Sequence, residues 1–216
     1  MDWDERSDAA IARYRDGEAR LPDAEDADQR QRQLTRLGNA AWAAGLCLRA
    51  AGAEDDAAVW LRCAAERYRE SWEDAPPNSW GRPIGAMKAL LLAGDDASAA
   101  ARWALDAGAA DAESPIGRYA ATLALLVLGD GAAARTVAPS LAGRDDFPED
   151  VAAALAGLAF GDGDAYAAAV LDVLRSFEAR TEFLEDVPIA DTVLVLQTLA
   201  EPRGLAAKLP ASPRLP

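Results

Sequence analysis

The chain has 216 residues, with 22 Lys+Arg against 36 Asp+Glu, a formal net charge of −14, no histidine and two cysteines. That balance leaves no positive footprint for nucleic acid, no imidazole for base or metal-ligand chemistry, and too few cysteines for a disulfide scaffold. The 51% share of hydrophobic residues is enough to bury a core, and the length suits one domain.

Almost every segment reads as helix, because Ala, Leu and Arg dominate and β-branched residues are scarce. A first helix is predicted over about residues 4–20, with Ile11 and Tyr14 on its apolar side, broken by Leu21-Pro22-Asp23. A second spans about residues 24–51. Leu34, Leu37, Ala41, Ala44 and Leu48 recur on one face, and Gly52 ends it. A third starts near Glu54, carries Leu61, Ala65, Tyr68 and Trp72 on one stripe, and closes before Pro76-Pro77.

A repeat follows. Leu91-Leu92-Ala93-Gly94-Asp95, Leu126-Val127-Leu128-Gly129-Asp130 and Leu158-Ala159-Phe160-Gly161-Asp162 share one form, with Gly-to-Gly spacings of 35 and 32 residues. Glycine suits the left-handed position that stops one helix, and aspartate caps the next. Ser114-Pro115 and Asp146-Phe147-Pro148 likewise place a cap before an early-turn proline. A degenerate unit has Val187-Pro188 opening a helix over 189–200, with Glu201-Pro202 in place of Gly-Asp. The period near 34 resembles that of tetratricopeptide-like arrays. The expectation is a single all-α domain over residues 1–216, a right-handed α-solenoid of antiparallel helix pairs with about ten helices. Its parts are an N-terminal helix and linker (1–22), a first long pair (23–77), repeated pairs (78–200) and a cap with tail (201–216).

The acids are 23 Asp and 13 Glu, and the bases are 20 Arg with only Lys88 and Lys208. Short carboxylates hold water and cations, whereas lysine stems expose apolar surface. The bias fits a protein adapted to molar salt, where the Debye length is about 3 Å; a GC-rich genome is the competing source. The N-terminus has neither a basic n-region nor an apolar h-region, which predicts no signal peptide and a cytoplasmic location. The longest apolar runs, near 119–128 and 151–160, are too short to span a bilayer. Cys47 and Cys63 lie in apolar helical stretches without CxxC spacing and read as buried reduced thiols.

Motifs for chemistry are sparse. The pairs Asp55-Asp56, Asp95-Asp96, Asp145-Asp146 and Glu149-Asp150 fall at helix starts, where capping and the helix dipole account for them. Gly161-Asp162-Gly163-Asp164 opens like a calcium loop, but Tyr166 stands where an oxygen ligand is needed. Lys88 reads as a snorkelling side chain on an apolar helix. No nucleophile motif, phosphate loop or dinucleotide fingerprint is present. No catalytic residue, cofactor or metal is therefore assigned.

The most distinctive stretch is residues 72–83, which holds Trp72, Trp80, Arg82 and three prolines between helices. Trp and Arg are the usual anchors of binding hot spots, and prolines fix them at low entropic cost. The candidate partner-binding residues are Trp72, Trp80 and Arg82, joined by Tyr68 and Arg118 on the concave face of the array. The competing reading has Ser79 cap the next helix while the tryptophans plug the space between pairs.

Residues 78–106 and 166–216 resemble the immunity protein 49 family of polymorphic toxin systems. Ser79-Trp80-Gly81 leads a middle helix, residues 166–180 form a long helix and 189–200 an apolar one. Leu209-Pro210-Ala211-Ser212-Pro213-Arg214-Leu215-Pro216 forms the extended tail. The resemblance implies an all-α array that neutralises a toxin by binding it, and it transfers no functional residues. The leading expectation is a non-enzymatic protein-binding protein whose acidic surface suits a basic toxin, with no nucleic-acid or membrane partner. Two alternatives stand beside it: a small-ligand receptor or histidine-independent enzyme using Asp/Glu and Arg in a groove, and a structural subunit of a homo-oligomer.

Overall fold

The computed structural model describes residues 2–216. Among the described residues all regular structure is helical, in ten α-helices and five short 3₁₀ turns, and no helix is long and apolar enough to cross a membrane. Two compact units are present. The first runs to Asp95 and includes Thr181–Ile189 and Pro216; the second comprises Asp96–Arg180 and Ala190–Leu215.

In the first unit α1 (Trp3–Ala19), α2 (Ala27–Ala50), α3 (Glu54–Glu70) and α4 (Gly81–Leu92) pack each against the next. The predicted stripe on α2 is too narrow. Its turns from Ala40 to Cys47 are buried on every side, Trp42 and Ala43 included, because α1 covers one face and α3 another. Leu48 at the margin is only half-buried. The helix also starts later than the pattern suggests, since the Asp26 carboxylate accepts from Gln29 N at 2.7 Å and fixes the first turn.

Glycines let these helices approach closely. A Cβ at Gly38 on α2 would lie 2.7 Å from one edge of the Tyr68 ring, and a Cβ at Gly85 on α4 would lie 2.7 Å from the other. Tyr68, on α3, is thus a wedge between two backbones, and its hydroxyl donates to Asn39 Oδ1 at 2.9 Å.

The second unit contains α5 (Ser98–Asp106), α6 (Pro115–Val127), α7 (Gly131–Val137), α8 (Glu149–Phe160), α9 (Gly163–Ala179) and α10 (Asp191–Ala200). Helices α5, α6 and α7 pack in sequence, and α8 pairs with α9. The glycine stops of the Gly-Asp junctions form as read from the sequence. Gly129 and Gly161 adopt φ of 73°, and Gly94 at the end of α4 adopts 74°. At each, the next N–H reaches back to the carbonyl five residues earlier: Asp95 to Leu90, Asp130 to Leu125 and Asp162 to Gly157, at 2.9–3.0 Å. The degenerate unit keeps the same device, displaced to Gly204 (φ 67°), where Leu205 N donates to Ala200 O.

The aspartates divide. Asp130 and Asp162 accept from Ala133 N and Ala165 N, each at 3.0 Å, as caps. Ser114 caps α6 through Gly117 N, with Pro115 beside it. Asp95 instead takes a bidentate bond from Arg62 at 2.6 and 3.0 Å. Asp146 turns to Arg144, and α8 begins at Glu149 without a side-chain cap. An arginine fork offers a carboxylate two charge-assisted bonds where a helix start offers one N–H, so a nearby Arg outcompetes the cap.

The start of the C-terminal tail is held by the Gln197 amide, and its end by bonds from Ala190 N to Arg214 O (2.8 Å) and from Ser212 Oγ to Glu178 Oε1 (2.7 Å). Tyr166 Oη donates to Gln197 Oε1 (2.8 Å), Gln197 Nε2 donates to Ala207 O (2.7 Å), and Ala207 N returns a bond to Gln197 Oε1 (3.1 Å). Tyr166 is fully buried, and a Cβ at Gly157 would meet its backbone Cα and N at 2.8 Å.

Candidate functional site

The loop between α3 and α4 is fixed from below by polar bonds. Ser71 is completely buried; its hydroxyl donates to Tyr68 O at 2.9 Å and accepts from Arg82 Nε at 2.9 Å. Arg82 Nη2 donates to Gln31 Oε1, and Gln31, 2% exposed, donates to Asp28 Oδ1 at 2.8 Å. Burial holds the Arg82 guanidinium below its ordinary pKa. This arginine ties α2, the end of α3 and the start of α4 together. Ser79 does not cap α4: its hydroxyl donates to Pro76 O at 2.6 Å and closes the proline turn, and α4 starts without a side-chain cap.

Beside this support the two tryptophan rings pack at a tilt, with centroids 6.0 Å apart and 40° between their planes. Trp80 is 5% exposed and its Nε1–H is buried with no hydrogen-bond partner among the described residues. Trp72 is half-buried and reaches solvent. Of the candidate residues, Tyr68 and Trp80 therefore lie inside the first unit, Arg82 is spent on the network, and Trp72 offers a partly exposed aromatic face. Arg118 belongs to the second unit, where it donates to Ala110 O and closes the turn before α6. The structure brings Tyr68, Trp72, Trp80 and Arg82 into one loop assembly and assigns Arg118 a separate local task.

A second polar cluster joins α1 to α3. The Tyr14 hydroxyl accepts from Cys63 Sγ (3.2 Å) and Arg67 Nε (2.9 Å) and donates to Glu18 Oε1 (3.1 Å). Arg67 also binds Glu18 (2.7 Å) and Glu70 (3.0 Å). Burial raises the Tyr14 hydroxyl pKa, and burial raises the Cys63 thiol despite the nearby arginine, so neither group is prepared as a nucleophile. Cys47 is fully buried, and burial pushes its thiol up to about 11. Lys88 Nζ on α4 stands 5.5 Å over the ring of Trp42 on α2, a cation–π contact between the two helices.

Two features escaped the sequence reading. Phe160, the last residue of α8, is 56% exposed although the Gly-Asp motif placed it in an apolar helix end. A groove also opens between α1 and the first half of α2, lined by arginines at helical spacing: 13 and 20 on the first helix and its end, 32 and 36 on the second. Those spacings of seven and four residues were visible as one-face patterns. Among the described residues no group of three or more His, Cys, Asp or Glu side chains is placed to hold a metal ion. No family model, curated protein or solved structure matches the chain.

Proposed function

We propose that the protein is a non-enzymatic binding protein built on a helical repeat, and that it neutralises a toxin as an immunity protein does. The observation that supports this reading is the Trp72–Trp80 pair. A partly exposed indole rests on a buried one, and both stand on a proline-fixed loop braced by Arg82. A rigid aromatic anchor of this kind loses little entropy on binding. A basic toxin would be drawn by the net charge of −14, while the apolar anchor would hold it where salt screens the attraction. Cytoplasmic residence and adaptation to molar salt belong to the same proposal, and the melting temperature is expected to rise as KCl is raised from dilute buffer to molar levels.

The experiment is co-expression of the chain with the product of the gene beside its own. Growth rescue, with a complex that survives gel filtration, is the expected result. Lack of both rescue and complex contradicts the immunity reading.

A further inference from the structure

We propose that the α1–α2 groove is a binding site for a compact oxyanion, a phosphoryl or polycarboxylate group carried by a small ligand. The groove consists of two adjoining cavities of about 300 and 480 Å³, a size that suits a metabolite. Three residues, Arg20, Gln33 and Arg36, line both cavities and so mark the centre. Gln33 is held in place by donating to Gly17 O at 2.8 Å.

The arginines differ in how they are neutralised. Arg13 faces Glu185 at 3.5 Å, and Arg32 is paired with Asp28 one turn earlier. Arg20 and Arg36 have no ion pair or hydrogen bond to another side chain among the described residues. On a chain with 36 acids for 22 bases, these two guanidiniums at the centre of the groove are free to meet a ligand's negative charge. The acids of the groove stand apart: Asp16 lines one cavity and Asp23 the other, while Glu185 is engaged by Arg13. The lining charges are four positive and three negative. The middle is cationic, and the two ends present carboxylates able to accept from a ligand hydroxyl or ammonium. Two guanidiniums lining one groove can each offer an oxyanion a fork of charge-assisted bonds.

The test is calorimetric titration of the full chain with pyrophosphate and, separately, citrate in low-salt buffer. Arg20→Gln/Arg36→Gln is compared with Arg15→Gln/Arg30→Gln, whose arginines lie on the same helices outside the groove. Circular dichroism confirms that both variants fold. The expected result is saturable one-site binding of at least one probe, weakened about tenfold or more by the groove pair and unchanged by the control pair. Binding of citrate alone assigns a carboxylate ligand, and binding of pyrophosphate alone a phosphoryl one. Failure of both probes to bind overturns the proposal, as does equal binding by the groove variant. Toxin neutralisation rests on Trp72 and is untouched by either failure.

Discussion

The two units hold their helices together by different means. In the first, side chains form the joints: Tyr68 wedged between Gly38 and Gly85, Arg82 bridging Gln31 and Ser71, and Tyr14 shared by Cys63, Arg67 and Glu18. In the second, fewer long-range side-chain joints stand beside the backbone devices: left-handed glycines at 129 and 161, each followed by an aspartate cap, and a glycine against the backbone of Tyr166; the first unit shares the left-handed stop, at Gly52 and Gly94, and an aspartate cap at Asp26. Joints made of side chains need particular residues at long separations. Joints made of backbone need only a local motif, which is why the glycine stop recurs at 94, 129 and 161, in both units.

Substitutions should separate the two modes. The largest effect is expected for Tyr68→Ala, which empties the wedge and strands Asn39, at about 3–5 kcal/mol in urea unfolding. Overpacking comes next. Gly38→Ala and Gly157→Ala should each cost about 1–3 kcal/mol, yet respond differently to a second change. Removing the Tyr68 ring should erase most of the added cost of Gly38→Ala, since the clash is with that ring. Removing the Tyr166 ring should not rescue Gly157→Ala, whose clash is with backbone. Additivity in the first pair would break the comparison.

Arg82→Ala should cost about 1–3 kcal/mol by leaving the buried Gln31 and Ser71 without their donor, and Arg82→Lys should recover little because an ammonium lacks the fork. Smaller still, Asp130→Ala and Asp162→Ala should each lose about 1 kcal/mol of cap energy. Asp95→Ala should move the melting temperature less, since its arginine pair is exposed.

A pH dependence belongs to the first unit. Cys47 stays neutral up to about 11 in the folded chain but ionises near 9.0 when unfolded. Its contribution is complete below pH 9 and declines as pH rises towards 11. Cys47→Ala should flatten that part of the stability profile, and Cys63, only half-buried, should react with a thiol reagent before Cys47 does.

Legibility in the sequence follows the same division. The glycine stops at 94, 129 and 161 were readable because a left-handed residue after an apolar helix is a local signal. The fates of Asp95 and Asp146 were not, because Arg62 lies 33 residues from Asp95, and because the choice between cap and salt bridge at Asp146 depends on where Arg144 points. The aromatic loop stood out by composition, yet composition did not say which tryptophan is inside. The Arg82 brace that follows Trp80 in the chain draws on Gln31 from 51 residues away, a partner no local pattern marks. The α1–α2 groove was written in helical spacings, but its opening depends on how two helices separate.

The central claim is that Trp72 is the half-buried anchor that reaches solvent and Trp80 its buried support, and one comparison tests it most directly. Binding of Trp72→Ala and Trp80→Ala to the neighbouring gene's product should be measured alongside their melting temperatures. The account predicts that Trp72→Ala weakens binding about tenfold or more with little change in melting, whereas Trp80→Ala chiefly lowers the melting temperature. Unchanged affinity in Trp72→Ala, with a large loss of stability, would contradict it.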